Sequence, residues 1–319
     1  MFLVCFCATT LAVIIVRATN SYSVNNKIPD IIHDSLKHQD ATVTNGSGSF
    51  TYEYVYVDSV NSIVKKANTS HNGWVHYNTR KRDVFYAFEG PKRRIETSEV
   101  NFVDNVRMLH SQKEVYDGDT SYTIVTESGR PSGAFQTLGH IGKEYSSWSR
   151  LNESMLTGLF TNDTSLSSIF KGSLEDIAAL DIQKISEEKK DGLECYVLKG
   201  ETENDSGSSG KYRIWLSKKH RCRPVFIEVV SPDNVNIAFP PYKIDVGIEY
   251  KEHGDDIWFP SYMEKNKFDS RGRLIVKESI TVHDNFTVNS DIDASVFEMT
   301  FPVGLTVFNN LSMEKYEVQ

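Results

Sequence analysis

The chain has 319 residues, 39% of them apolar, with 43 acidic against 35 basic side chains and a net charge near −8. That length allows one large core or two smaller ones. The acidic balance excludes a general nucleic-acid binder, since phosphates select basic surfaces. The short basic clusters Arg80-Lys81-Arg82, Lys92-Arg93-Arg94 and Lys218 to Arg223 read as solvated faces.

The first element is apolar from Phe2 to Val16, the length of a signal h-region and short of the ~20 residues a spanning helix needs. Val16-Arg17-Ala18 places small residues before a cut. Residues 1–18 are therefore expected to be a signal peptide. Residues 19–319 are expected to be a single periplasmic or secreted domain with no stable membrane span. The missing positive n-region and the late Arg17 fit this badly, and leave a buried N-terminal helix or a membrane anchor as alternatives. Seven Asn-x-Ser/Thr sequons, from Asn45 to Asn310, matter only in a host that glycosylates exported chains.

A helix is predicted next, where Ile28, Ile31, Ile32 and Leu36 repeat at helical spacing behind Pro29 and Asp30. From Ser49 to Val57 the period becomes two: Phe50, Tyr52, Tyr54 and Tyr56 share one face, with Thr51 and Glu53 on the other. Further strands are expected at 83–88, 92–99, 105–115 and 120–127. A second amphipathic helix should span Tyr145 to Phe160, with Trp148, Leu151, Met155, Leu156, Leu159 and Phe160 on its apolar stripe. A shorter one should begin at Ser173, capped with Asp176 three residues on.

Strands resume at 193–200, 211–217 and 224–230, with a polar loop over 201–210. From Tyr242 to Lys251 every even position is apolar and every odd one is polar or glycine; 256–268 should form the next strand. Leu274, Val276, Ile280 and Val282 continue the theme, interrupted by Glu278. Gly90-Pro91, Asp117-Gly118, Asp191-Gly192, Asp233-Asn234, Gly254-Asp255 and Arg271-Gly272 fall where hairpins would turn. Helices at the start and middle of a strand-rich chain predict an α+β fold, with a sheet wrapped over its helices.

Outside the signal segment, which holds Cys5 and Cys7, the cysteines are Cys195 and Cys222. In an oxidising compartment this pair suggests a disulfide; two buried free thiols are the alternative. On successive meander strands they would sit roughly 10 Å apart across the sheet, too far unless the loop before Cys222 folds back.

No catalytic or metal motif emerges. Nine histidines are scattered without H-x-x-x-H or Cys/His zinc spacing. There is no G-x-S-x-G, Walker loop or dinucleotide fingerprint. Asp117-Gly118-Asp119 and Asp291-Ile292-Asp293 read as a turn and a strand end. The chain is thus expected to be non-enzymatic, without cofactor or metal; a carboxylate pair assembled in space leaves a hydrolase as a remote alternative. The remaining material is apolar. Either the aromatic row and the central helix pack as core, or they enclose a cavity lined by Phe50, Tyr52, Tyr54, Tyr56, Trp148, Leu151 and Met155.

Several short features share an order with one family. They are Gly90, Lys92, Arg94 and Glu96; Asp117-Gly118 with Tyr122; and Tyr212, Ile214 and Trp215. Then come Asp256-Ile257-Trp258-Phe259-Pro260 after Gly254-Asp255, Val288-Asn289, Ile292-Asp293, Phe297, Phe301-Pro302-Val303-Gly304 and Val307. Over most of 45–310 the chain resembles the LolA/LolB-like outer-membrane lipoprotein-sorting proteins. The resemblance implies a curved, incomplete antiparallel β-barrel covered by helices. It also implies a periplasmic carrier or chaperone whose partner is a lipid or an acylated lipoprotein. Related folds act as envelope sensors or protein-interaction modules, so envelope proteins are alternative partners. The chain is longer than the family's carriers and richer in strand aromatics, and no functional arginine of the family maps onto it.

Overall fold

In a computed structural model of the chain, residues 28–57, 79–103, 106–128, 136–143, 182–203, 209–230, 243–254 and 256–319 are described. Alternating segments form two antiparallel meanders. The first comprises β1 (Asn45–Tyr56), β2 (Thr79–Glu89), β3 (Lys92–Val103), β4 (Val106–Tyr116), β5 (Ser121–Ser128) and β6 (Gln136–Gly142). The second comprises β7 (Ile182–Lys190), β8 (Leu193–Glu203), β9 (Ser209–Ser217), β10 (Arg223–Val230), β11 (Lys243–Glu252), β12 (Trp258–Phe268) and β13 (Leu274–Val282). Pairing of β1 with β13, Phe50 opposite Val282 and Tyr56 opposite Val276, fuses them into one 16-stranded sheet. At the Asp191-Gly192 turn both residues have positive φ, 50° and 83°, as a two-residue hairpin with right-handed twist requires.

The expected helix-covered, incomplete barrel is not what forms. Among the described residues the strand order runs linearly from the C-terminal strand Glu314–Glu317 to β7, so the sheet is open. Among the described residues one α-helix, α1 (Asp30–Thr42), lies against it. Alternation specifies which face of a strand is buried, but closure depends on whether the two edge strands find each other. Here they do not. The stretches predicted as helices at 145–160 and from Ser173, the Asp233-Asn234 turn and the signal segment 1–18 lie outside the described residues.

Helix α1 follows its predicted pattern with one departure. Ile32 and Leu36 are fully buried and Ile28 packs beside them, while Ile31 is 58% exposed. The two buried aliphatics contribute roughly 1.5–3 kcal/mol each. They meet Phe50, Leu216, Ile227, Val246, Phe259 and Phe286 in one continuous cluster, which defines the helix face of the sheet.

After β13 the chain crosses back over the first meander. It makes β14 (Thr287–Val288) on β1, a 3₁₀ turn at Ala294–Phe297, then β15 (Thr306–Asn309) parallel to β6, and β16 (Glu314–Glu317). The Arg94 guanidinium donates to the Val296 carbonyl at 2.7 Å, tying this tail to β3. Glycine makes the crossing possible: a Cβ at Gly48 would lie 2.3 Å from the Phe286 Cα, and one at Gly139 would lie 2.9 Å from Val307 Cγ2.

Cys195 and Cys222 are buried free thiols. They belong to separate clusters, Cys195 with Val197, Trp215 and Val225, and Cys222 with the helix-face core. The disulfide alternative is not realised.

Two predictions follow from this packing. Gly48→Ala should destabilise the protein by about 3 kcal/mol in urea denaturation, because backbone has to move. Gly247→Ala, whose Cβ would meet nothing within 4 Å, should be neutral or stabilising by up to about 1 kcal/mol. The second concerns His220, buried after β9 with its ring edge-on to Trp258 at 4.5 Å. Burial, and then the Lys219 charge, hold its pKa below the usual value. The unfolded chain therefore binds its proton first, and stability should fall as pH drops below about 6.5. His220→Phe should flatten the Tm-against-pH slope between pH 5 and 7, leaving the part due to His253, whose pKa is lowered by burial and Lys251.

Candidate functional site

The helix face changes character along single rows of the sheet. One row, strand by strand from β1, reads Tyr54, Glu278, Lys265, Val246, Ile227, Ile214 and Leu198. Its neighbour reads Tyr52, Ile280, Met263 and Ile248. From β11 through β8 the first row is an aliphatic wall. At β13 and β12 it turns ionic.

The ionic part is well buried: Lys265 is 0% and Glu278 4% exposed. Glu278 Oε1 lies 3.6 Å from Lys265 Nζ and 3.2 Å from Lys267 Nζ. Its other oxygen accepts a 3.1 Å hydrogen bond from the Tyr52 hydroxyl. Across β1, Tyr52 stands opposite Arg82. The Arg82 guanidinium grips Glu99 Oε2 through Nη2 at 2.6 Å and Nε at 3.1 Å. Glu99 in turn stands opposite His110, whose Nδ1 is 3.5 Å from Glu127. A band of charged and polar side chains thus spans seven neighbouring strands, from β5 to β12.

Burying ions costs several kcal/mol each unless partners replace water. Here they do so by sharing: one carboxylate serves two ammonium groups and a phenol. Burial, followed by the Glu278 charge and its hydrogen bond, pushes the Tyr52 pKa far above its usual value. Tyr52 therefore remains a proton donor at every physiological pH. The cluster can hold an anionic group electrostatically.

Of the residues predicted to line a cavity, Phe50 is fully enclosed in the core and Tyr52 is 8% exposed with its hydroxyl engaged. Tyr54 is half-buried on the same face, packed against Val276 and Ile275. For Tyr56 the backbone is described, opposite Val276. Trp148, Leu151 and Met155 lie outside the described residues. The structure sets the first three on one face of β1, and beside Tyr52 and Tyr54 it places the cluster of Glu278, Lys265, Lys267, Arg82 and Glu99, which the sequence reading did not assign. A signal existed for one of them, since Glu278 interrupts the apolar positions of β13. Lys265 and Lys267 carry none, because lysines alternating along a strand usually face water.

On the second meander the opposite face carries the buried cluster of Cys195, Val197, Trp215 and Val225; on the first meander it is wet. A row of small polar groups, Thr51, Asp83, Ser98, Ser111, Thr126 and Thr137, crosses β1 to β6 beside an open groove of ≈ 500 Å³. Asp117 Oδ1 accepts from the amides of Asp119 and Thr120, and Asp293 caps Ser295, so both Asp-x-Asp segments are turns and caps. Among the described residues no group of three His, Cys, Asp or Glu side chains converges to hold a metal. No described helix is long and apolar enough to cross a membrane.

No protein-family model matches the sequence, and no curated protein matches it. Among solved structures, a crystal structure of MucB aligns with 84% of this chain at 12% identity and a TM-score of 0.27. The chain spans 62% of that MucB chain's length. A complex of MucA and MucB from Pseudomonas aeruginosa aligns with 82% of this chain and 99% of that one, at 11% identity and a TM-score of 0.23. Likenesses at these TM-scores carry neither fold nor function to this protein.

The shared-carboxylate geometry makes a quantitative prediction. Glu278→Gln should cost about 3 kcal/mol or more, since it leaves two helix-face lysines without their common counter-charge. Tyr52→Phe, which removes one hydrogen bond, should cost about 1 kcal/mol. Equal losses in denaturant titrations would refute the cluster's ionic role.

Proposed function

We propose that the protein is a non-catalytic binding module of the cell envelope, of the lipoprotein-sorting kind, that holds an amphiphile on its helix face. A lipid or an acylated lipoprotein fits this description. The observation that carries the reading is the direct abutment, within single rows, of an aliphatic wall and a buried cationic centre. Acyl methylenes laid along Ile214, Ile227, Val246 and Ile248 would gain ~0.8 kcal/mol each from leaving water. An anionic head group would meet Lys267, the more accessible of the two lysines at 16% side-chain exposure. Helix α1 covers the wall through two fully buried side chains, Ile32 and Leu36. In this reading α1 is the element that lifts.

A second reading draws on the tight enclosure of Phe50 and the engaged hydroxyl of Tyr52. A core already filled at these positions suits a sensor or interaction module that binds another envelope protein and carries no cargo.

One experiment separates them. Amphiphiles co-purifying with the protein are identified by mass spectrometry, and a fluorescent fatty acid and an acylated peptide are titrated into the delipidated protein. The carrier reading predicts a bound amphiphile, and about tenfold weaker binding of the anionic probe to Lys267→Glu with an uncharged probe little affected. No co-purifying amphiphile together with no saturable binding by about 100 µM overturns the carrier reading and leaves the interaction module.

A further inference from the structure

The sheet ends, at one side, in the hairpin β15–β16. Among the described residues β16 has no second neighbour. All four of its residues are exposed, and the loop before it presents Met313 at 88% and Leu311 at 45% exposure. Edge strands are a hazard that proteins normally blunt with short length, charged side chains, prolines or bulges, which leaves mainly partners of complementary charge. This one carries Glu314, Lys315, Tyr316 and Glu317, a sequence of mixed sign with a 41% exposed tyrosine. The question is which strand such an edge accepts.

We propose that β16 is a homodimer edge, pairing antiparallel with β16 of a second copy in the register centred on Tyr316. A two-fold axis relating antiparallel edge strands stands perpendicular to the sheet, so it passes midway between one residue and its own copy facing it. Four registers centre within β16. An axis at Glu314 or at Glu317 opposes two carboxylates, and an axis at Lys315 opposes two ammonium groups; like charges directly opposite are destabilising. The register on Tyr316 alone avoids this. It stacks Tyr316 on Tyr316 of the second copy, and flanks that aromatic pair with two Lys315–Glu317 pairs, each residue facing its opposite.

The backbone agrees with the charges. The Val318 amide turns inward to the Leu305 carbonyl at 3.0 Å. Period-two alternation therefore turns the Lys315 and Glu317 amides and carbonyls outward, toward an incoming strand. In the Tyr316 register these two residues face each other, as a hydrogen-bonded pair requires. Lys315 is also held in place, its Nζ lying 5.1 Å from the Phe308 ring centroid. Because the contact is one short strand, the dimer should be weak and concentration-dependent. The inference is independent of the amphiphile reading, since the hairpin lies at the far side of the first meander from the aliphatic wall.

Sedimentation equilibrium of the purified protein from about 1 to 200 µM is the test. The wild type should show a monomer–dimer equilibrium. Lys315→Glu, which opposes carboxylates twice, should weaken it by about tenfold or more. The swap Lys315→Glu with Glu317→Lys restores opposite charges in the same register and should recover the dimer. Unchanged thermal melts confirm that each variant is folded. A wild type that stays monomeric throughout, including one whose hairpin binds phosphatidylcholine vesicles instead, overturns the inference. So does a swap variant no better than the single one.

Discussion

The pairing of β1 with β13 is the constraint from which the rest of the architecture follows. Each meander by itself is a row of hairpins with one apolar face; the seam aligns those faces and makes them continuous. Phe50 closes the seam opposite Val282, and Tyr52 reaches across it to Glu278. The hydroxyl-to-carboxylate bond is thus formed between residues 226 positions apart in sequence. A one-residue slip here would turn every β1 side chain to the other side. It would expose Phe50, strip Glu278 of its phenol, and leave Gly46 and Gly48 on the wrong side for the close approach of Phe286 and Phe88.

The seam also explains why charge is tolerated inside the sheet. Lys265 and Lys267 lie on β12, next to β13, and on the next strand their rows continue as Val246 and Ile244. Flanking aliphatics screen the site from water, and one carboxylate offsets half of its positive charge. Such an arrangement stabilises less than an apolar core of equal volume. The C-terminal tail reinforces the same region, running from β13 past β1 and β3 to β6 and locking the first meander against the second.

Much of this was legible in the residues. Strands β1 to β5 and β8 to β13 were announced by period-two alternation and by turn pairs such as Asp117-Gly118 and Asp191-Gly192, and α1 by Ile28, Ile32 and Leu36. Strand β6 escaped because Gly139 and Gly142 leave it little pattern, and its glycine at 139 answers to Val307, far along the chain. Strand β7 escaped because Ile182 and Ile185 are followed by a charged run. The open sheet was hidden for a different reason: edges, crossings and the parallel β15–β6 pair are relations between distant segments, which local periodicity does not encode. The same holds for the ionic band. Its members are individually ordinary strand residues, and only the register places Tyr52, Glu278 and Lys265 together.

Backbone hydrogen exchange followed by mass spectrometry tests the central claim, that the β1–β13 seam organises the molecule, most directly. Amides in 50–56 and 274–282 should be among the slowest to exchange, and should open together with one another rather than with the edges at β7 and β16. Exchange of the seam at edge-strand rates, or independent opening of its two strands, would contradict the account.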